Sequence, residues 1–278
     1  MNILITGANS ILSQELIKIL GRGGNHTIYA LYNINTDNLA ETAEYLDIGQ
    51  LRKLDIDMDV VFHVASLIPY GNWDRVSKEL VDTNVRLLLE MIRLYEDSRF
   101  IFCSSVSVYG SNQAVIREDS PLCPENAYAV SKLAGELLVR SLESYAILRL
   151  SSIYGKGIKT PTFIPRAIQQ ARDDGVIIVF GDGSREQNYI HVADAARFLY
   201  QAMLCNENHS FLAVGEQSRS NREVAAIISG IIPDSRVEFV GEENPYSVDY
   251  ENSFSLDKLQ IQYAVSLEDG IQEMIHGS

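Results

Sequence analysis

The chain has 278 residues, 46% of them hydrophobic and 22% charged, a composition that excludes a disordered or fibrous protein. Its 37 acidic against 23 basic residues leave a formal net charge of −14, which disfavours a nucleic-acid backbone or an anionic membrane as the main partner. Cys103, Cys123 and Cys205 are odd in number and far apart, so free thiols in a reducing cytoplasm are expected, with no disulfide and no metal site.

In chain order, "NILIT" is a continuous apolar run closed by a glycine turn, as a buried parallel strand should be. "ILSQELIKIL" repeats its apolar residues at helical spacing, and "HTIYAL" is the next strand, completing a βαβ unit. "YLDI" and "DVVFHVAS" are strands three and four, separated by the short crossover "GQLRKLDIDM". The helix "SKELVDTNVRLLLEMIRLYE" leads to the strand "RFIFCSSVSVY", and the helix "AYAVSKLAGELLVRSLES" to the strand "YAILRLSSIYG". Strands and helices therefore alternate, which predicts an α/β fold: a doubly wound, Rossmann-like parallel sheet. Beyond Gly155 the segments shorten and mix, as in a small lobe woven with the last elements of the sheet. No leader with a cleavage site follows Met1, and no apolar run is long enough to span a bilayer.

Two places carry chemistry. The turn "TGANSILS" joins a strand to a helix, so backbone N–H groups and a helix N-terminus can meet a pyrophosphate there. Gly7 makes the sharp turn, whereas Ser10 and Ser13 occupy places where such turns usually hold glycine. Ser10 can donate to a phosphate or cap the helix, and Ser13 remains small enough for close helix–strand packing. In "ENAYAVSKLAGE", Tyr128 and Lys132 are four apart on one helix face. A neighbouring ammonium favours the phenolate, so the pair is expected to bring the tyrosine pKa down from about 10 and act as an acid–base device.

At these residues the chain resembles the extended short-chain dehydrogenase/reductase family, specifically its NAD(P)-dependent epimerases, dehydratases and reductases of nucleotide sugars. "ITGANSILSQEL", "DVVFHVAS", "TNVRLLLEM", "FIFCSSVSVYG", "AYAVSKLAGE", "LRLSSIYGKG", "FIPRAI", "GDGSREQNYIHVADAA" and "SLEDGI" fall in family order over nearly the whole chain. The resemblance implies a Rossmann domain, 1–154 and 188–216, and a small substrate lobe, 155–187 and 217–278. It implies Tyr128 as general acid/base, Lys132 on the nicotinamide ribose, and Ser105 on the reacting oxygen. Gly7, Ser10, Ile11 and Leu12 would hold the pyrophosphate, Tyr32 and Asn33 the adenosine ribose, and Asp47 and Ile48 the adenine. Ala65, Ser66 and Asn84 would line the cofactor. Hydride would pass between a sugar carbon and the nicotinamide while Tyr128 moves the proton.

Departures narrow the expectation. Strand two ends in Tyr32 and Asn33 with no cation nearby, which leans to NAD over NADP. Val106 and Ser107 stand where dehydratase members carry an Asp–Glu pair, so no elimination of water is expected. Gln187 and Asn188 replace an Arg–Asp pair whose arginine meets the nucleotide phosphates, leaving Arg185 and Arg166 as candidate anion contacts. His63 and His191 read as core or strand-end residues, Cys103 as a buried filler, and Tyr70 and Trp73 as aromatics covering a loop in preference to a substrate border. The expected activity is epimerisation or ketone reduction at C4 of a nucleotide-linked sugar. The alternatives are a reductase of a non-nucleotide small carbonyl compound and a non-catalytic dinucleotide sensor. The resemblance implies a possible homodimer through the two long helices, as in many family members, although their apolar stripes serve equally well as monomer core.

Overall fold

The computed structural model describes residues 1–32, 42–47, 49–50, 56–71, 75–243 and 247–277. Asn33, Ile48 and Trp73 lie outside them. The first half alternates as expected: β1 (Asn2–Thr6), α1 (Ile11–Arg22), β2 (Thr27–Tyr32), β3 (Glu44–Asp47), β4 (Val60–His63), α2 (Lys78–Val81), α3 (Leu87–Leu94) and β5 (Arg99–Ser105). There follow β6 (Val115–Ile116), α4 (Ala127–Val139), β7 (Tyr145–Leu150), β8 (Ser152–Tyr154), α5 (Phe163–Asp173), β9 (Val176–Phe180), β10 (Glu186–His191), α6 (Val192–Leu204) and β11 (His209–Ala213). The chain ends with β12 (Ser218–Ser220), α7 (Asn221–Ile231), β13 (Arg236–Val240), β14 (Asp249–Tyr250), α8 (Ser253–Lys258) and α9 (Leu267–His276).

Seven strands form one sheet in the order β11-β7-β5-β4-β1-β2-β3, every pair parallel. Strand order reverses between β1 and β4, and open parallel sheets bind ligands at the carboxyl ends beside such a reversal. Alternate residues face opposite layers, so both faces must be apolar. Ile3 and Ile5 pack with Leu16 and Ile17 of α1 and Phe198 and Leu199 of α6, while Leu4 packs on the other side with Phe100, Leu88 and Met91. Each such side chain contributes roughly 1.5–3 kcal/mol by leaving water, so the two layers hold the strand ends rigidly.

A separate apolar core forms where Ile164 and Ile168 of α5 meet Val224 and Ile228 of α7 and Ile177 and Val179 of β9. Small sheets β12-β10-β8, β13-β9 and β14-β6 lie outside the seven-stranded sheet.

Five elements differ from the sequence expectation, the first being the strand expected over 59–66, which ends at His63. The strand expected over 99–109 stops at Ser105, where Ser105 Oγ accepts the Ser107 N–H and starts a 3-10 turn over Val106–Tyr109. The strand expected over 145–155 divides at Ser151: β7 stays in the large sheet and β8 leaves to pair with β10. The helix expected over 77–96 contains a π turn at Asp82–Arg86 that carries Asn84. The helix expected over 127–144 ends at Val139, capped by Arg140.

Candidate active site

A cleft of about 1920 Å³ opens where the carboxyl ends of β5 and β7 face the lobe. Ordinary small-molecule pockets run to roughly 300–1,000 Å³, so this cleft is larger than one small ligand needs. Ser10, Ile11 and Leu12 line one part of it, Ser66, Ser105, Tyr128 and Lys132 the middle, and Arg166 and Arg185 the lobe side.

The glycine turn enters the left-handed region at Gly7, with φ +74°, and a Cβ there would lie 2.9 Å from the Cα and N of Ala65. Only glycine lets β1 and the segment after β4 approach this closely. Ser10 is the N-cap of α1: its Oγ accepts the Ser13 N–H at 3.1 Å and donates to Ser13 Oγ at 2.9 Å. Ser13 is fully buried at the helix–sheet contact, so the second serine fills the close-packing role of a small residue. The first N–H groups of a helix have no partner within it, and Ile11 and Leu12 supply them at the cleft wall. The turn therefore retains the N–H cradle and the dipole that suit a pyrophosphate.

On α4, Asn126 caps the helix by accepting the Ala129 N–H at 2.9 Å, which aims the first turn at the cleft. Tyr128 is buried, and its phenol is within hydrogen-bond reach of the hydroxyls of Ser105 and Ser66. Lys132 Nζ donates to Cys103 O at 2.8 Å and lies 5.9 Å from the Tyr128 ring centroid. Burial pulls the Lys132 ammonium down to about 8, against the opposing pull of Cys103 and Glu136. The Tyr128 phenol moves the other way from the expected depression. Burial pushes it up to about 12, overriding its hydrogen bonds to Ser105 and Ser66, because desolvating a phenolate costs more than those bonds return. Cys103, also buried, is pushed up to about 12 and is no nucleophile.

Asn84 lies behind the cleft wall. Its Oδ1 accepts from Leu67 N at 2.7 Å and Ser66 Oγ at 3.4 Å, and its Nδ2 donates to Leu67 O at 3.0 Å and Ser131 Oγ at 2.9 Å. Those bonds use both N–H donors and both acceptor positions of the amide, leaving no donor for a ligand. Asn84 instead pins the Ser66–Leu67 segment to α4. Tyr32 and Asp47 are register partners at the outer end of the sheet, and Asp47 Oδ1 accepts the Gly49 N–H at 2.7 Å. His63 is fully buried and pulled down to about 3 by burial and then by Lys132, and His191 caps α6, so both are strand-end residues. No cluster of His, Cys, Asp or Glu suited to a metal occurs among the described residues.

On the lobe side, Arg166 is exposed in the first turns of α5 and has no side-chain partner among the described residues. Arg185 is committed: its Nη1 donates to Glu243 Oε1 at 3.0 Å. Asn221 and Gln187 complete the group, with Gln187 Nε2 donating to Asn221 Oδ1 at 2.8 Å.

Residues 3–212 match the profile of the NAD dependent epimerase/dehydratase family. The chain belongs to that family. Among curated relatives of this epimerase/dehydratase chain is an uncharacterised UDP-glucose epimerase of Bacillus subtilis (strain 168), 26% identical over 223 residues, 71% of each chain. A putative UDP-glucose 4-epimerase of Methanocaldococcus jannaschii is 26% identical over 249 residues, 79% of each. The UDP-glucuronic acid 4-epimerase of Bacillus cereus, solved with UDP-glucuronic acid and NAD, superposes with a TM-score of 0.88 over 100% of this chain and 99% of the other. Its identity is 23%, a likeness of fold.

Sequence reasoning within this epimerase/dehydratase frame missed two groups. Glu243 was unmarked because its partner Arg185 lies 58 residues earlier. Glu136 of α4 and Arg149 of β7, a buried pair, were also unmarked, although Glu136 repeats the spacing of Tyr128 and Lys132 by one more step of four.

Proposed function

We propose that this chain is an NAD-dependent epimerase or ketoreductase acting at a hydroxyl- or keto-bearing carbon, C4, of a nucleotide-linked sugar. The observation that carries the reading is the convergence of Tyr128, Lys132 and Ser105 in a cleft that runs from the Gly7 turn to the lobe. The volume of that cleft and the UDP-sugar relatives support a nucleotide sugar as the second ligand.

In this reading NAD, preferred over NADP, supplies a hydride acceptor and donor when bound. Gly7, Ser10, Ile11 and Leu12 hold its pyrophosphate, Tyr32 and Asp47 with Asn33 and Ile48 its adenosine, and Ala65 and Ser66 its inner side. Asn84 fixes the segment that Ser66 belongs to. Ser105 orients the reacting sugar oxygen, and Tyr128 exchanges a proton with it. With its pKa near 12, Tyr128 rests as the neutral phenol, ready to donate; Lys132, placed against the nicotinamide ribose, favours the phenolate when Tyr128 must accept. Arg166 and Arg185 receive the nucleotide phosphates. Val106 and Ser107 offer no carboxyl group for dehydration.

The reading divides the chain into a cofactor domain, 1–154 and 188–216, and a substrate lobe, 155–187 and 217–278. Val130 and Leu137, exposed and seven apart on α4, support a homodimer through that helix. No helix among the described residues is long and apolar enough to cross a membrane, and three unpaired thiols suit the cytoplasm.

The Arg185–Glu243 pair favours a second reading, a reductase of a small carbonyl compound without a nucleotide, since a carboxylate there opposes a diphosphate. The test is to denature the purified protein, identify any released dinucleotide, and titrate the stripped protein with NAD, NADH, NADP and NADPH. UDP-glucose and UDP-glucuronic acid are then followed by nuclear magnetic resonance at C4. Bound NAD with interconversion at C4 supports the proposal. Bound NAD with no nucleotide sugar taken up selects the second reading, and failure to bind any dinucleotide ends both.

A further inference from the structure

The strongest buried polar group outside the reaction centre lies directly behind it. Glu136 is fully buried, and Arg149 Nε and Nη2 grip its two oxygens at 2.9 and 2.7 Å. Ser104 Oγ donates to Glu136 Oε1 at 2.7 Å. Arg149 Nη1 in turn donates to Tyr109 Oη at 2.6 Å and to Glu118 O at 2.9 Å, with its guanidinium 4.8 Å from the Tyr109 ring centroid. Ser104 immediately precedes Ser105, and Tyr109 closes the 3-10 turn that immediately follows it. One carboxylate on α4 therefore holds the Ser105 segment from both ends, on the helix that carries Tyr128 and Lys132.

A buried ion pair is weak evidence for stability, because desolvation consumes most of the Coulomb gain. Well-packed apolar side chains would serve a purely structural purpose at least as well. A retained charge beside a second buried charge has an electrostatic consequence instead. Glu136 is one turn from Lys132, and the groups facing Lys132 from the packed elements are Tyr128 on α4, Cys103 and Phe102 on β5, and His63 on β4. At neutral pH, Cys103 and Tyr128 are protonated and uncharged, and His63 is a neutral imidazole. Glu136 is the carboxylate among these groups.

We propose that Glu136, clamped by Arg149, is a positioning residue for the reaction: it fixes Ser105 against Tyr128 and stands as the counter-charge of Lys132. This rests on the reading of Tyr128, Lys132 and Ser105 given above. Its electrostatic half is tested without any substrate.

The full-length protein, isotope-labelled at the lysine ε-carbons, is titrated by nuclear magnetic resonance, with the Lys132 signal assigned by its loss in Lys132→Arg. In Glu136→Gln the Lys132 midpoint is expected to fall by about one pH unit, a tenfold rise in its proton-dissociation constant. That variant leaves Arg149 buried without its carboxylate, with only Tyr109 Oη and Glu118 O as acceptors, and is prone to misfolding, so Glu136→Gln/Arg149→Met is titrated as well. It removes both charges, and because Glu136 and not Arg149 acts on the Lys132 charge, the midpoint still falls. A folded double variant in which Lys132 titrates as in the parent overturns the proposal. So does a double variant with the parental pH profile and kcat for C4 conversion of whichever UDP-sugar the parent turns over. Failure of the function reading shows separately, as no turnover in the parent while the Lys132 shift persists.

Discussion

Ser10 Oγ accepts the N–H of Ser13 at 3.1 Å, so the two serines that break the glycine pattern of the turn are partners of each other. One caps α1 and the other, fully buried, lets α1 lie close on the sheet. The cap predicts that Ser10→Ala lowers stability by about 1 kcal/mol, and that Ser10→Gly costs only a few tenths. Urea unfolding checks both values. NAD affinity in Ser10→Gly, read by calorimetry, is expected to stay near the parent value, since the cradle is made of backbone N–H groups. A large loss would make the hydroxyl itself a phosphate ligand.

Gly7 is less forgiving. Its φ of +74° and the 2.9 Å approach to Ala65 mean that Gly7→Ala is penalised twice, in backbone strain and in a clash with backbone atoms that cannot swing away. A stability loss of more than about 1 kcal/mol and at least a roughly tenfold loss of NAD affinity are expected. An intact calorimetric isotherm would move the dinucleotide away from this turn.

Tyr128→Phe removes the only proton carrier assigned to the sugar oxygen while keeping the ring and its packing. Turnover is expected to fall about 100- to 10,000-fold, the usual worth of a general acid or base, with NAD affinity within a factor of two. Unchanged turnover would take Tyr128 out of the mechanism.

How much of this was legible in the sequence depends on range. Runs such as Ile3-Leu4-Ile5, apolar on both faces, announce a strand covered on both sides, and the doubly wound parallel sheet followed from them. The i, i+4 step from Tyr128 to Lys132 is equally local. The end of β5 at Ser105 was not legible, because "VSVY" alternates like a strand and only the Ser105 Oγ bond to Ser107 N turns it. The break between β7 and β8 depends on β10, more than thirty residues later. The rise of the Tyr128 pKa is a burial effect, and burial is a property of the packed chain, not of the Tyr–Lys spacing. Glu243 belongs to the same class: nothing near it in sequence marks it as the partner of Arg185.

That partnership makes a prediction of its own. Arg185 Nη1 already donates to Glu243, and that carboxylate repels a phosphate approaching the same guanidinium. Glu243→Gln removes the competitor, and UDP affinity is expected to rise roughly threefold to tenfold, more at low salt than at high. Calorimetry at two salt concentrations reads this directly. If affinity is unchanged, the diphosphate does not use Arg185 and rests on Arg166 alone.

Lys132 shows that the site is built against stability. Its pKa is about 8 in the folded protein and 10.5 for an ordinary solvated lysine, so between these values the unfolded chain binds a proton that the folded chain does not. Folding stability therefore rises with pH across that window as far as this group is concerned, and below pH 8 the protein carries the full cost of a buried ammonium. Lys132→Met removes that cost while leaving the Glu136–Arg149 pair intact, and it gives up the bond to Cys103 O. The expected result at pH 7 is a Tm higher by about 2–4 °C, roughly 1 kcal/mol for a chain of this size, together with lost turnover. The gain should shrink as the pH is raised towards 10, because the parent then sheds the same charge unaided. Calorimetric scans of both proteins at pH 7 and 9.5 make the comparison. A Tm that falls in the variant at pH 7 would mean that the hydrogen bond to Cys103 outweighs desolvation, and that Lys132 supports the fold as well as the chemistry.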